Sequence, residues 1–189
     1  MKKAILLSDV SLAKRLAFTA LFAALCFVGT YVIQIPSPAA GYFNVGDIFV
    51  LLSGWLLGPL YGGVAAAIGS ALADLVAFPA YAPVTFFVKG FDAIVAYLVW
   101  AFFKKLIKKQ TLDVLPRALS ALAGEAVMVL GYFAYEIVAF DITLAAAGMV
   151  ATNLPQAAIC LVGGIILIAA LYPIKSVRNF FPALKREEE

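Results

Sequence analysis

The chain has 189 residues, of which 65% are hydrophobic and 13% charged, against roughly half apolar and one quarter charged in a soluble domain. A mean hydropathy of +1.02 is more apolar surface than one soluble core hides, so the composition reads as a polytopic membrane protein. There is no histidine, which removes the commonest zinc and copper ligand and the usual neutral-pH proton shuttle and argues against a metalloenzyme or a Ser-His hydrolase.

The net charge of +3 would fit a nucleic-acid binder only with a basic, aromatic-studded soluble face, and the basic residues are not placed that way. Met1 to Leu7 imitates the start of a signal peptide, but Ser8-Asp9 and Lys14-Arg15 interrupt it, and the apolar run that follows is long enough to be retained as a span. Cys26 and Cys160 lie inside apolar runs, where thiols act as small hydrophobes. No metal or cofactor is expected.

In chain order, the apolar runs predict one integral membrane domain over residues 1–189, an all-α bundle of six transmembrane helices at about 12–34, 46–57, 61–78, 84–103, 117–138 and 148–172. The second is too short to cross unaided and meets Gly58-Pro59, a helix stop, so it is expected to be tilted or partly buried. The connections around 34–45, 79–83 and 139–147 carry no Lys or Arg. The basic residues fall instead before the first span (Lys2, Lys3, Lys14, Arg15), after the fourth (Lys104, Lys105, Lys108, Lys109, Arg117) and in the tail (Lys175, Arg178, Lys185, Arg186). With six crossings these share one side, which the positive-inside rule makes cytoplasmic together with both termini. The stretch 104–115 reads as an interfacial segment facing anionic headgroups, and the run 185–189 as a solvated tail. Lys89 is left inside the membrane.

Charged side chains within spans are costly and usually functional. Topology gives each a depth. Asp47, Lys89, Asp92, Asn153 and Gln156 enter from outside, Asp74, Tyr132, Tyr135 and Glu136 leave toward it, and only Glu125 falls deeper. One polar pocket beneath the external face is predicted, not a polar path through the membrane. Asp47 and Glu136 read either as pocket groups or as interface residues at span ends. Lys89 and Asp92, three apart on one helix face, are either a private salt bridge or ligand contacts. Asp74 reads as a packing or loop-anchoring partner and Glu125 as an interior hydrogen bonder. Asn153 and Gln156, flanking Pro155, are the best ligand contacts, since a proline there also frees a carbonyl. Tyr42, Phe43, Phe78, Tyr81, Phe86, Tyr132 and Tyr135 are interleaved with these groups, either around the pocket or in the interfacial aromatic belt. Gly41, Asn44 and Gly46 beside Tyr42 make the first external loop a plausible lid.

Small residues form two stripes: Ala13, Ala17, Ala20 and Ala24 in the first span, and Gly62, Ala66, Gly69, Ser70 and Ala73 in the third. Such stripes allow close helix approach, within the chain for the third span and to a partner protein or within the chain for the first.

The runs Gly41-Tyr42-Phe43-Asn44-Val45-Gly46-Asp47, Leu56-Leu57-Gly58-Pro59-Leu60-Tyr61-Gly62-Gly63, Ser70-Ala71-Leu72-Ala73-Asp74-Leu75, Pro83-Val84-Thr85-Phe86-Phe87-Val88-Lys89-Gly90 and Asn153-Leu154-Pro155-Gln156 resemble the substrate-binding S components of energy-coupling factor (ECF) transporters. They are similar in particular to the branch handling pyridoxine, hydroxymethylpyrimidine or pantothenate, related to riboflavin carriers. The resemblance spans about 12–172. It implies a six-helix bundle binding its vitamin near the external face, and docking through Ala20 and Ala24 onto a membrane coupling subunit driven by two ATPases. The chain has no Gly-x-x-x-x-Gly-Lys-Ser/Thr phosphate loop, so ATP hydrolysis is expected in another subunit.

Other classes fit less well. Val45-Gly46-Asp47 lacks the Gly-x-Gly order of an intramembrane aspartyl protease that would pair Asp47 with Asp74, and a small channel would need polar groups along a continuous path. Among vitamins, the acids outnumber Lys89, which places pyridoxine-type compounds first, hydroxymethylpyrimidine next and anionic pantothenate third, with riboflavin a further alternative.

Overall fold

In the computed structural model, residues 11–36, 42–107 and 113–184 are described. The expectations for Gly41, Lys108, Lys109, the amino-terminal lysines and the run 185–189 lie outside them. Helix α1 (Leu12–Tyr31) is followed by two antiparallel bridges, β1 (Ile35–Pro36) and β2 (Tyr42–Phe43). Then come α2 (Gly46–Ala77), α3 (Ala82–Leu106), α4 (Val114–Ala139) and α5 (Ile142–Gly148). A π-helical turn (Met149–Asn153) leads into α6 (Leu154–Leu171), and a short α7 (Lys175–Phe180) and a 3-10 turn (Pro182–Leu184) end the described chain.

Among the described residues, five helices are long and apolar enough to cross a membrane, where six separate spans were expected. The difference lies in α2, which joins the second and third expected spans. It breaks at Gly58, whose φ of 86° and ψ of 179° lie in a region essentially reserved for glycine, with Pro59 unable to donate to the preceding turn. The chain folds back there. Ser53 Oγ donates to the Gly62 carbonyl at 3.0 Å across nine residues, which a straight helix would hold about 13.5 Å apart. A Cβ on Gly62 would run into the Ser53 carbonyl, so the hairpin needs glycine on this face as well.

The bundle therefore has six helical limbs that alternate in direction. At one end Arg15 of α1 lies over the Tyr61 ring, 6.0 Å from its centroid. Lys104 pairs with Asp113 at 2.7 Å, Tyr172 donates to the same carboxylate at 3.0 Å, and Phe18 packs on Phe180 and Phe181. Arg117 is buried there between the rings of Trp55, Trp100 and Tyr172. Thr30, Asp47, Asp74, Tyr81, Glu136 and Gln156 gather at the other end. The small residues of the second α2 limb are buried, Gly69 lying against Ala23 and Cys26 of α1. Ala13, Ala17, Ala20 and Ala24 of α1 face outward instead.

Candidate functional site

At the end away from the basic residues, the limbs enclose a cavity of about 30 Å³, lined by Thr30, Tyr42, Asn44, Asp74, Tyr81, Lys89, Tyr132, Glu136, Asn153 and Gln156. That is room for about two waters. Its roof is the segment from Tyr42 to Val45, which two anchors hold down. The Tyr42 hydroxyl donates to Asp74 Oδ1, and the Asn44 amide donates to Gln156 Oε1 at 2.8 Å. The Gly46 amide donates to Asn44 Oδ1 at 2.9 Å, and a Cβ on Gly46 would strike the Thr30 hydroxyl, so this end of the roof closes on α1 only because the residue is glycine.

Beneath the roof the polar groups form two chains. Lys89 Nζ lies 2.5 Å from Asp47 Oδ1, and Gln156 Nε2 donates to Asp47 Oδ2 at 2.6 Å. Lys89, Asp47, Gln156 and the Asn44 backbone are thereby one relay from α3 through α2 and α6 to the roof. In the second chain Thr85 donates to Asp74 Oδ2. Its single hydroxyl proton is used there, so in the 2.8 Å contact between Thr85 and Tyr132 the tyrosine is the donor. The Tyr81 hydroxyl donates to Glu136 Oε1 at 3.3 Å. Burial, with Glu136 beside it, raises the Tyr81 phenol above its ordinary range, and burial with Asp74 nearby does the same for Tyr42. Both stay protonated and remain donors.

Of the residues expected from sequence, Tyr42, Asn44, Tyr81, Lys89, Tyr132, Glu136, Asn153 and Gln156 line the cavity, while Asp47 lies directly beneath as the partner of Lys89 and Gln156. Of the two readings left open for Lys89 and Asp92, the private salt bridge is not formed, because the Lys89 stem reaches across to α2, and Asp92, Tyr135 and Glu125 each depart from expectation. Asp92 is off the cavity wall, one turn further along α3, with its carboxylate against Gly124 of α4 and neither oxygen hydrogen-bonded among the described residues. Tyr135 points away and donates to the Ala80 carbonyl at 2.7 Å. Glu125, expected as an interior hydrogen bonder, has both oxygens without a partner among the described residues.

Asp74 does anchor the loop, through Tyr42, and it also belongs to the cavity wall. Thr30 was missed. A threonine in an apolar span carries no signal by itself, and only its place beside Gly29 at the end of the first run marks a close approach. The π turn at Met149–Asn153 sits just before Pro155, which cannot donate to the carbonyl four residues back, and it turns Asn153 and Gln156 into the same layer.

A polar, roofed cavity in an apolar bundle can bind a small solute and close over it. An uncharacterized protein in the gap 3′ region of Pyrococcus woesei is 38% identical over 114 residues, 60% of this chain and 72% of that protein. The family model for the ECF-type riboflavin transporter S component matches residues 11–173, from the start of α1 to just past α6. The chain belongs to that family, and with it to the membrane-embedded, vitamin-binding subunits of ECF transporters.

Proposed function

We propose that the cavity binds a pyridoxine-type compound or hydroxymethylpyrimidine at the external face of the plasma membrane. The subunit then passes it to a membrane coupling subunit driven by two ATPases. The reading rests on three buried polar atoms of the cavity wall that have no hydrogen-bond partner among the described residues: Thr30 Oγ1, Glu136 Oε2 and Asn153 Nδ2. Unpaired buried groups are unfavourable by about 1 to 3 kcal/mol each, and a ring bearing hydroxymethyl and nitrogen functions completes all three. The tyrosine rings alongside suit a flat heteroaromatic. Pantothenate ranks lower because Asp47 already neutralises Lys89, leaving no free cation on the described wall for a carboxylate. The cavity is far below the roughly 300 Å³ of a ligand site, so the Tyr42 and Asn44 anchors must open for entry.

Orientation follows from the clustering of basic residues away from the cavity, which supports cytoplasmic termini. The outward alanines Ala17, Ala20 and Ala24 support docking of α1 on the coupling subunit.

A second reading, riboflavin, is favoured by the description of the matching family. Mass spectrometry of the small molecule that co-purifies with the protein, followed by calorimetric titration with pyridoxine, hydroxymethylpyrimidine, pantothenate and riboflavin, decides between them. A co-purified flavin, with no binding of the smaller rings, rejects the first reading.

A further inference from the structure

Charge is unevenly distributed around this cavity. Lys89 contributes one positive charge, and Asp47 beneath it cancels that charge at 2.5 Å. Asp74 and Glu136 remain on the wall, and no other cationic side chain lines it among the described residues. The two carboxylates are in different conditions. Asp74 spends both oxygens on the hydroxyls of Tyr42 and Thr85. Glu136 accepts from Tyr81 through Oε1, and its Oε2 has no partner among the described residues although Glu136 is only 3% exposed.

A carboxylate held in that state lacks a counter-charge, which a protonated ring nitrogen supplies as a donor about twice as strong as a neutral one and a quaternary nitrogen supplies through charge alone. The neighbouring rings have the same preference. Tyr81 and Tyr132 have centroids 6.2 Å apart and are tilted by 49°, and aromatic faces attract cations. Lys89 Nζ already lies 5.2 Å from the Tyr132 centroid, so the wall accepts positive charge at ring distance.

Resting on the vitamin-pocket reading above, we infer that the site selects a cationic heteroaromatic: a ring with a protonated or quaternary nitrogen set against Tyr81 and Tyr132, with Glu136 as its counter-ion. A neutral tricyclic ring leaves Glu136 without a counter-charge, and an anionic ligand is repelled by two carboxylates. Both are selected against on charge, independently of size.

The test uses two probes of equal shape that differ only in charge: the N-methylpyridinium of nicotinyl alcohol and its uncharged carbon isostere, meta-methylbenzyl alcohol. Each is titrated into the full chain in detergent after its endogenous ligand has been removed, with pyridoxine and hydroxymethylpyrimidine in parallel. The cation is expected to bind about tenfold tighter than the isostere, and Glu136→Gln to bring the two within about threefold, with Tyr81→Phe keeping most of the preference.

Equal binding of the probes to the unmodified protein, or tighter binding of the neutral one, overturns the inference without any variant having to fold. If a vitamin ring binds and the probe pair shows no preference, the charge inference alone falls. If riboflavin binds and neither small ring does, the vitamin reading falls with it.

Discussion

Lys89 Nζ lies 2.5 Å from Asp47 Oδ1, across 42 residues of sequence, while Asp92, one turn away on its own helix, has no hydrogen-bond partner among the described residues. Removing one member of a buried pair strands the other, at about 3 to 5 kcal/mol. Lys89→Met should therefore lower the thermal unfolding midpoint markedly, and adding Asp47→Leu should restore part of it. Adding Asp92→Leu should restore less. Circular dichroism melts in detergent read this directly, and equal rescue by both second changes would reject the Asp47 pairing.

Asp92 and Glu125 are buried at 0% and 2% exposure with no partner, among the described residues, for any of their four oxygens. A lone charge there is expensive, and even a neutral carboxyl is not satisfied. Asp92→Asn and Glu125→Gln should leave the melting temperature unchanged or raise it. A large loss in either would point to a partner that matters for folding.

Gly58 turns α2 back at φ 86° and ψ 179°. Any side chain in this region costs about 1 to 3 kcal/mol, so Gly58→Ala should reduce stability by that amount, whereas Leu60→Ala, at an exposed position, should cost little. Comparable losses at the two sites would mean that the turn tolerates a Cβ.

Ala20 and Ala24 lie on the outward face of α1, away from the cavity. Ala20→Trp or Ala24→Trp should leave ligand titration of the isolated subunit nearly intact and abolish ATP-driven uptake by the assembled transporter, because a bulky ring blocks close helix approach. A parallel fall in both readouts would assign the stripe to packing within this chain.

With Cys26 and Cys160 replaced by alanine, a cysteine at the exposed Ala80, in the loop beside the cavity, should react with a membrane-impermeant maleimide in intact cells. One at the exposed Ser176 should react only after permeabilisation. The reverse pattern would invert the orientation and put the cavity on the cytoplasmic side.

The all-α, membrane-spanning character was legible because long apolar runs report it directly. Most of the wall followed, since Asn153, Gln156, Lys89 and Tyr132 are residues an apolar span does not otherwise carry. What was not legible was partner choice. Spacing along one helix makes Lys89 and Asp92 look paired, but a lysine stem reaches a neighbouring helix as easily as its own next turn, and only packing decides. Thr30 escaped for a related reason: it matters through its contact with Gly46, an approach between helices that no local pattern encodes. The boundary at Gly58-Pro59 was read as a stop between two spans, and the backbone there instead joins them in one folded-back element.

That fold-back bears on how the chain enters the bilayer in the first place. The limb 46–57, about 18 Å long at 1.5 Å per residue, falls short of a hydrocarbon core about 30 Å thick. It also carries Asp47, which meets Lys89 only once α3 has been made. Such a segment has little to hold it in lipid alone during synthesis. Joined at Gly58 to the longer, charge-poor limb behind it, it can partition as half of a hairpin and leave Asp47 at the open end until its counter-ion emerges. The residue that shapes the turn thus also ties the short limb to one of a length to lie in the bilayer, while the counter-ion of Asp47 comes from α3.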